Sequence, residues 1–111
     1  MATVQLDKSE WQPYFDRVSK ALAGEQAEIE VSSLALGNQV EADWLPLHGI
    51  TYDPKSDLVE VLVEGLDHLI HHPQSVFVDH NGGGLRSMEV IEEDDTRQIV
   101  RLRGPLMLPP S

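Results

Sequence analysis

The hydrophobic periodicity of this chain changes at Gly24, and that change limits the fold more than any other feature. Before Gly24, apolar residues recur at the three- and four-residue spacing of one helix face. They are Trp11, Phe15, Val18 and Leu22. After it, over residues 27–31, apolar and acidic residues alternate with the two-residue period of a half-buried strand. The pattern predicts a helix over about residues 10–23, followed by strands.

Both ends of this helix carry sequence signals. Ser9 and Gln12 have the spacing of a capping box, in which each side chain satisfies an early backbone N–H group. Pro13 would then occupy the fourth helical position, so a helix that starts at Pro13 is the alternative. Gly24 is placed to end the helix in a left-handed conformation.

About six short strands are predicted after Gly24. Val59, Val61 and Val63 form the clearest inward-facing row, and Ala42 and Trp44 alternate in the same way, which places Trp44 in the core with Trp11. Seven segments, some of them very short, have strand character: 27–31, 40–45, 50–52, 58–63, 75–79, 85–91 and 96–102. Residues 65–73 interrupt the alternation and are predicted to form a short amphipathic turn. The prolines of residues 104–110 predict a tail that covers the sheet or the helix without regular pairing.

Short links between the strands determine the fold class. Parallel pairs need long crossover connections, so strands joined by tight turns pair antiparallel. The sequence therefore predicts one α+β domain over residues 1–111. In it, an N-terminal amphipathic helix packs on a curled antiparallel β-meander or a partly open barrel of about six strands.

Charge and composition narrow the function classes. The formal net charge is -11, which would repel a phosphate backbone and argues against nucleic-acid binding. No apolar run approaches the roughly 20 residues that cross a bilayer, and the first residues do not have the pattern of a secretory signal. The chain contains no cysteine, which excludes disulfides, thiolate metal sites and a cysteine nucleophile. We expect a cytoplasmic protein that binds neither nucleic acid nor membrane.

Basic residues gather in the last quarter of the chain. If the final hairpin turns at residues 94–95, Arg86 lies opposite Arg103, and Arg101 shares their sheet face. Three guanidinium groups on one face are suited to a carboxylate or phosphate. Two alternatives remain: ordinary surface ion pairs, or contact between this basic edge and the acidic region 25–67 of another copy.

A second candidate site is the histidine segment. His68, His71 and His80, with Asp79, have side chains suited to zinc or another divalent metal. The fixed spacing of known zinc motifs is missing, so structural or solvated histidines are the alternative, and we expect no cofactor. Asp67 would be a further carboxylate beside this segment.

Several segments resemble a family of small bacterial proteins of unknown function. They are EADWLPL at 41–47, GITYDPK at 49–55, GLDHLI at 65–70, HP at 72–73, GLRS at 84–87 and TRQIVRL at 96–102. The resemblance covers nearly the whole chain and implies a bacterial, stand-alone, single-domain protein. It implies no activity.

Taken together, the residues favour a non-enzymatic binding or assembly module, homo-oligomeric and acting through a sheet face or edge. Its partner would be another protein or a second copy. The alternative is a small metal-dependent enzyme that uses the histidine segment around His68, His71 and His80.

Overall fold

The computed structural model describes residues 2–108, which form one helix and eight strands. In chain order they are β1 (Ala2–Leu6), α1 (Lys8–Ala21), β2 (Gln26–Ser33), β3 (Gly37–Asp53), β4 (Leu58–Val63), β5 (Leu66–His71), β6 (Pro73–Asn81), β7 (Gly84–Glu92) and β8 (Arg97–Leu106).

All eight strands belong to one open antiparallel sheet in the order β1-β6-β7-β8-β2-β3-β4-β5. Two meanders, β2 to β5 and β6 to β8, are joined where β8 pairs with β2. Within the first meander the long strand β3 pairs with β2 along its first half and with β4 along its second half. The α+β class and the curled, open antiparallel sheet are thus as predicted, but with eight strands among the described residues rather than about six.

The core lies between the inner face of this sheet and the helix. Trp11, Phe15 and Val18 of α1 are 2%, 0% and 0% exposed, and the helix packs mainly on β3. Val59, Val61 and Val63 form a buried row, as their alternation predicts. Full burial of one such side chain contributes about 1.5–3 kcal/mol to stability. The apolar stripe of α1 therefore supplies much of what holds the helix on β3, and the valine row of β4 adds to the same core.

The helix starts earlier than its predicted capping signal. It covers Lys8–Ala21, so the helix predicted over about residues 10–23 is present, but neither the cap at Ser9 nor the alternative start at Pro13 is correct, and Pro13 lies inside the helix. The backbone N–H of Asp7 instead donates to Glu10 Oε1 at 3.3 Å. Leu6, the last residue of β1, leaves only Asp7 as a link, which forces this early start.

Two strands and one extension were not predicted. β1 pairs with β6, seventy or more residues along the chain. Residues 66–71 form strand β5 against β4 instead of an amphipathic turn. β8 continues through Pro105 to Leu106, which pairs with Leu85 and is buried, so the described part of the tail does pair with the sheet. The prolines at 109 and 110 lie outside the described residues.

The register of the final hairpin also differs from the prediction. The predicted pairing of Arg86 with Arg103 would place Met88 opposite Arg101, but Ser87 lies there. The loop contains three residues, because the Asp95 N–H donates to the Glu92 carbonyl at 2.9 Å and Asp95 has φ 69°. A three-residue hairpin loop with a left-handed last residue moves the register by one relative to a turn centred at 94–95.

Candidate anion-binding face

A bulge in β3 turns a tryptophan onto the outer face of the sheet. Between Ala42 and Leu45, β3 places Asp43 and Trp44 opposite the single residue Glu28 of β2. Bulges insert an extra residue and redirect side chains. Trp44 has φ 53°, a left-handed conformation that is rare for a bulky residue. Its predicted place in the core is therefore wrong, because the alternation is broken at the bulge.

Trp44 contacts an arginine from β8. The Arg103 Cζ atom lies 4.9 Å from the centre of the Trp44 ring. A guanidinium over an aromatic face is attracted by the ring quadrupole, by about 0.5–1 kcal/mol at an exposed site. This contact favours a position of the exposed Arg103 side chain over the ring, while Trp44 itself is half-buried.

The three arginines predicted to share a face line one surface depression. Its volume is about 310 Å³, and Trp44 forms another part of its lining. Arg101 and Arg103 reach it from β8 by strand alternation. Arg86 faces it for another reason: the β7–β8 register is interrupted between Leu85 and Ser87, so regular alternation does not apply at this position. The remaining lining residues are Asp79, Asn81, Ser87 and Leu102.

These three arginines differ in how they are neutralised. Arg101 Nη1 donates to Glu28 Oε1 at 2.9 Å and to Glu30 Oε1 at 2.6 Å. The hydrogen bond to Glu30, more than any other interaction, raises the pKa of Arg101. Within residues 2–108, by contrast, neither Arg86 nor Arg103 has a carboxylate at ion-pairing distance. Surface ion pairing thus accounts for Arg101 and leaves two guanidinium groups available.

Asp79 is the one carboxylate among the described lining residues of this depression. Its Oδ1 lies 3.5 Å from the Thr3 hydroxyl oxygen, which belongs to β1. It also lines an adjoining depression of about 240 Å³ over β6 and β7. The face thus combines two arginines without a carboxylate at ion-pairing distance, the carboxylate of Asp79, and the group of Arg101 with Glu28 and Glu30, which has one more negative charge than positive.

The residues of the predicted metal site lie in different surroundings. His68 Nε2 is 2.7 Å from Gln98 Oε1, and His80 Nε2 is 3.0 Å from the Tyr14 hydroxyl. His71 is exposed on β5, and Asp79 lies on the outer sheet face. Across residues 2–108, no three histidine or acidic side chains are grouped so as to hold a metal ion.

A cluster around Asp57 was missed by the sequence reasoning. The Tyr52 hydroxyl donates to Asp57 Oδ1 at 2.9 Å, and Lys8 Nζ lies 3.9 Å from the same oxygen. His72 Nδ1 is 3.5 Å from Asp57 Oδ2. Burial, followed by the hydrogen bond to Asp57, raises the pKa of Tyr52 to about 12, so this phenol is not a base near neutral pH. The residues come from separate segments of the chain, and no spacing in the sequence predicts that they lie close together.

These features define a small α+β protein with a single described helix on an eight-stranded antiparallel sheet, and with an arginine–tryptophan face outside it. The chain belongs to a family of unknown function, DUF5335, whose sequence model matches residues 2–111. It is 39% identical over 110 residues to an uncharacterized protein from Aquifex aeolicus (strain VF5), covering 98% of this chain and 99% of that protein. No solved structure matches this chain. The described helix is too short and too polar to cross a membrane.

Proposed function

We propose that this protein is a binding module that holds a carboxylate- or phosphate-bearing ligand on the face around Trp44, Arg86 and Arg103. One observation carries the proposal. The chain has 19 acidic residues and 8 lysines and arginines, so partners for a surface arginine are abundant. Arg86 and Arg103 nevertheless share a depression without a paired carboxylate from the described residues.

The chemistry of the lining residues suits such a ligand. A guanidinium group presents parallel N–H donors that match the two oxygens of a carboxylate or phosphate. Arg103 is held against Trp44, so less side-chain freedom is lost when it binds. Arg101 is paired with two carboxylates, those of Glu28 and Glu30, so it adds no free positive charge to the face.

The net charge of the molecule adds a restriction on the ligand. A protein of charge -11 repels small free anions at long range. A ligand that also places a planar or apolar part on the exposed portion of Trp44 gains contact that a bare anion does not. We therefore favour a ligand with an acidic group beside a flat or apolar part.

The test is an NMR titration of the folded protein with inorganic phosphate and, separately, with benzoate. We expect the indole N–H signal of Trp44 and the side-chain N–H signals of Arg86 and Arg103 to move, with benzoate binding more tightly. Trp11 is 2% exposed and serves as an internal control whose indole signal stays in place.

Two variants make the result specific. Arg86→Gln combined with Arg103→Gln removes both available charges and is expected to abolish the shifts. Arg97→Gln is the matched control, because Arg97 lies on the same strand but pairs with Glu89 at 3.6 Å. Absence of any shift with both anions, or equal binding by the double variant, would reject the proposal.

A cytoplasmic location belongs to the same proposal. The lack of cysteine supports it, because proteins of oxidising compartments often depend on disulfides and this chain cannot form one. Fractionation of the producing cells tests it, and recovery of the protein outside the cytoplasmic fraction would contradict it.

A further inference from the structure

The last strand of the sheet, β5, has one free edge. Within the described chain it pairs only with β4. The His72 N–H donates to the Asp57 carbonyl at 3.0 Å, so Asp57 and His72 form a hydrogen-bonded pair of this hairpin. By alternation, the backbone groups of every second residue point toward β4 and those between them point to the free edge. The residues with free N–H and C=O groups are Asp67, Leu69 and His71.

The same three residues also present exposed side chains. Asp67, Leu69 and His71 alternate with more buried residues along β5 and lie on one face of it. Leu69 is 42% exposed and is among the large apolar residues that the described chain leaves in water. An edge with free backbone groups and an exposed leucine is a template for pairing with another strand.

Asp67 also lies in a local excess of negative charge. A hydrogen bond between the Asp67 and Glu60 side chains is the main reason that the pKa of Glu60 is raised. Among residues 2–108, neither Glu60 nor Asp67 has a basic side chain at ion-pairing distance, and His71 has no carboxylate at that distance. The strand therefore carries one acidic and one imidazole group, each two residues from Leu69 and each without an oppositely charged side chain at ion-pairing distance.

We infer that two copies of this chain associate by antiparallel pairing of β5 with β5, about a twofold axis at Leu69. In this register Leu69 faces Leu69 of the second copy, and Asp67 faces His71 of the second copy, twice. It is also a register in which the free N–H and C=O groups of all three residues are hydrogen-bonded. An imidazole N–H donates to a carboxylate whether or not the ring is charged. The interface is self-complementary, as a twofold dimer requires.

Other registers and the other free edge are less suited. A shift of two residues would leave Asp67 opposite Leu69 and His71 opposite Gly65, without a charge partner. The other free edge, β1, exposes Thr3, Val4 and Gln5, which carry no charge and select no register. The paired segment is short, and interfaces below about 1,200 Å² are commonly weak and transient. We therefore expect a dimer that forms and dissociates with concentration.

Sedimentation velocity over a wide range of protein concentrations tests the association. We expect the wild-type protein to shift from monomer toward dimer as its concentration rises. Leu69→Lys should keep it monomeric, because a charge would face its own copy. Val4→Lys is the matched control on the other edge, since Val4 is 49% exposed, and it should leave the dimer intact.

A charge exchange tests the register. Asp67→Lys and His71→Glu each remove the complementary pair and are expected to raise the dissociation constant about tenfold, since two cross-strand pairs are lost. The double variant restores an opposite-charge pair and should return the constant close to the wild-type value. Far-UV circular dichroism of every variant confirms that the exposed changes leave the fold intact.

Four outcomes would overturn this inference: a strict monomer at all concentrations, a dimer unaffected by Leu69→Lys, a dimer abolished by Val4→Lys, or no recovery in the charge exchange. Dimerisation is independent of the anion-binding face, so it should persist when Arg86 and Arg103 are both glutamine.

Discussion

At the scale of single residues, Asp57 links parts of the chain that are distant in sequence. Its carboxylate accepts a hydrogen bond from Tyr52 and lies near Lys8 at the start of α1 and His72 at the β5–β6 corner. Asp57 and His72 have φ values of 50° and 53°, in the left-handed region. Aspartate tolerates this region better than most residues. The two residues with left-handed backbone conformations thus lie in the same group of polar contacts around the Asp57 carboxylate.

The two buried tyrosines predict a stability loss at alkaline pH. Burial raises the pKa of Tyr14 and of Tyr52 to about 12, against an ordinary value of 10. The folded protein holds these two phenol protons more tightly than the unfolded chain does. Their contribution to the free energy of unfolding is therefore fully present below pH 10 and is lost between pH 10 and 12. Each tyrosine contributes at most about 2–3 kcal/mol. Urea unfolding across this pH range, with phenolate absorbance, measures the loss.

Tyr52→Phe provides the comparison for this prediction. It removes one of the two titrating groups, so about half of the alkaline loss should disappear, although the hydrogen bond to Asp57 is lost at every pH. Ionisation of both phenols near pH 10 in the folded protein would contradict the expectation.

At the scale of elements, a buried glutamine joins the last strand of the sheet to its centre. Gln98 of β8 is 6% exposed and lies 2.7 Å from His68 of β5 through its Oε1. Its Nε2 donates to Glu92 Oε2 of β7 at 2.8 Å. The side chain thus connects β5 with β7 and β8, which are not its neighbours in the sheet order. It helps to fix the curl that brings the two meanders face to face.

Loss of this bridge is expected to loosen β5 specifically. Gln98→Ala leaves His68 without its partner in a half-buried site, and an unsatisfied polar group of this kind costs about 1–3 kcal/mol. Amide hydrogen exchange at His68 and Ile70 should accelerate more than exchange at the buried valines of β7 and β8. Gln39→Ala, an exposed position on β3, is the control and should leave both rates unchanged. Uniform acceleration would show a loss of global stability only.

The sequence predicted the elements whose residues obey one period and failed where the period is broken. The α1 stripe and the Val59 to Val63 row are regular, and both are buried as predicted. In β5, Leu66, Leu69 and Ile70 have a helix-like spacing, because Leu69 faces solvent at an edge instead of the core. An exposed apolar residue at an edge cannot be distinguished from a core residue by its type alone.

The candidate site shows the same limit. Arg86, Arg101 and Arg103 do line one depression, although the assumed register was wrong by one residue. Arg86 faces it because of an irregularity in β7, and Trp44 because of a bulge in β3. A bulge depends on how two strands pair, so the periodic pattern of one strand does not predict where it occurs.

At the scale of the whole molecule, an acidic surface surrounds a small body. The principal extents are 37, 30 and 27 Å, and the formal net charge is -11. At an ionic strength of 0.01 M the Debye length is about 30 Å, so carboxylates on opposite sides still repel one another. Net repulsion of this kind destabilises a compact state.

We therefore expect thermal stability to rise with salt. Between about 0.01 M and 0.15 M ionic strength the Debye length falls to about 8 Å, and Tm should increase by a few degrees. Replacing the exposed Glu41 and Asp43 by glutamine and asparagine should raise Tm at low salt and make its salt dependence shallower. A Tm that falls with added salt would show that attractive pairs, such as Arg101 with Glu28 and Glu30, outweigh the repulsion.

The pairing of β2 with β8 also has a consequence for biosynthesis. The middle of the sheet joins residues 26–33 to residues 97–106, so it cannot assemble until the second segment has left the ribosome. Until then α1 is available to pack on β3, but the edge of β2 that pairs with β8 and the part of the core that the last strands cover stay exposed to chaperones or to misassociation. Folding of this protein is thus expected to follow the synthesis of β8, with the slow closure typical of contacts between distant segments.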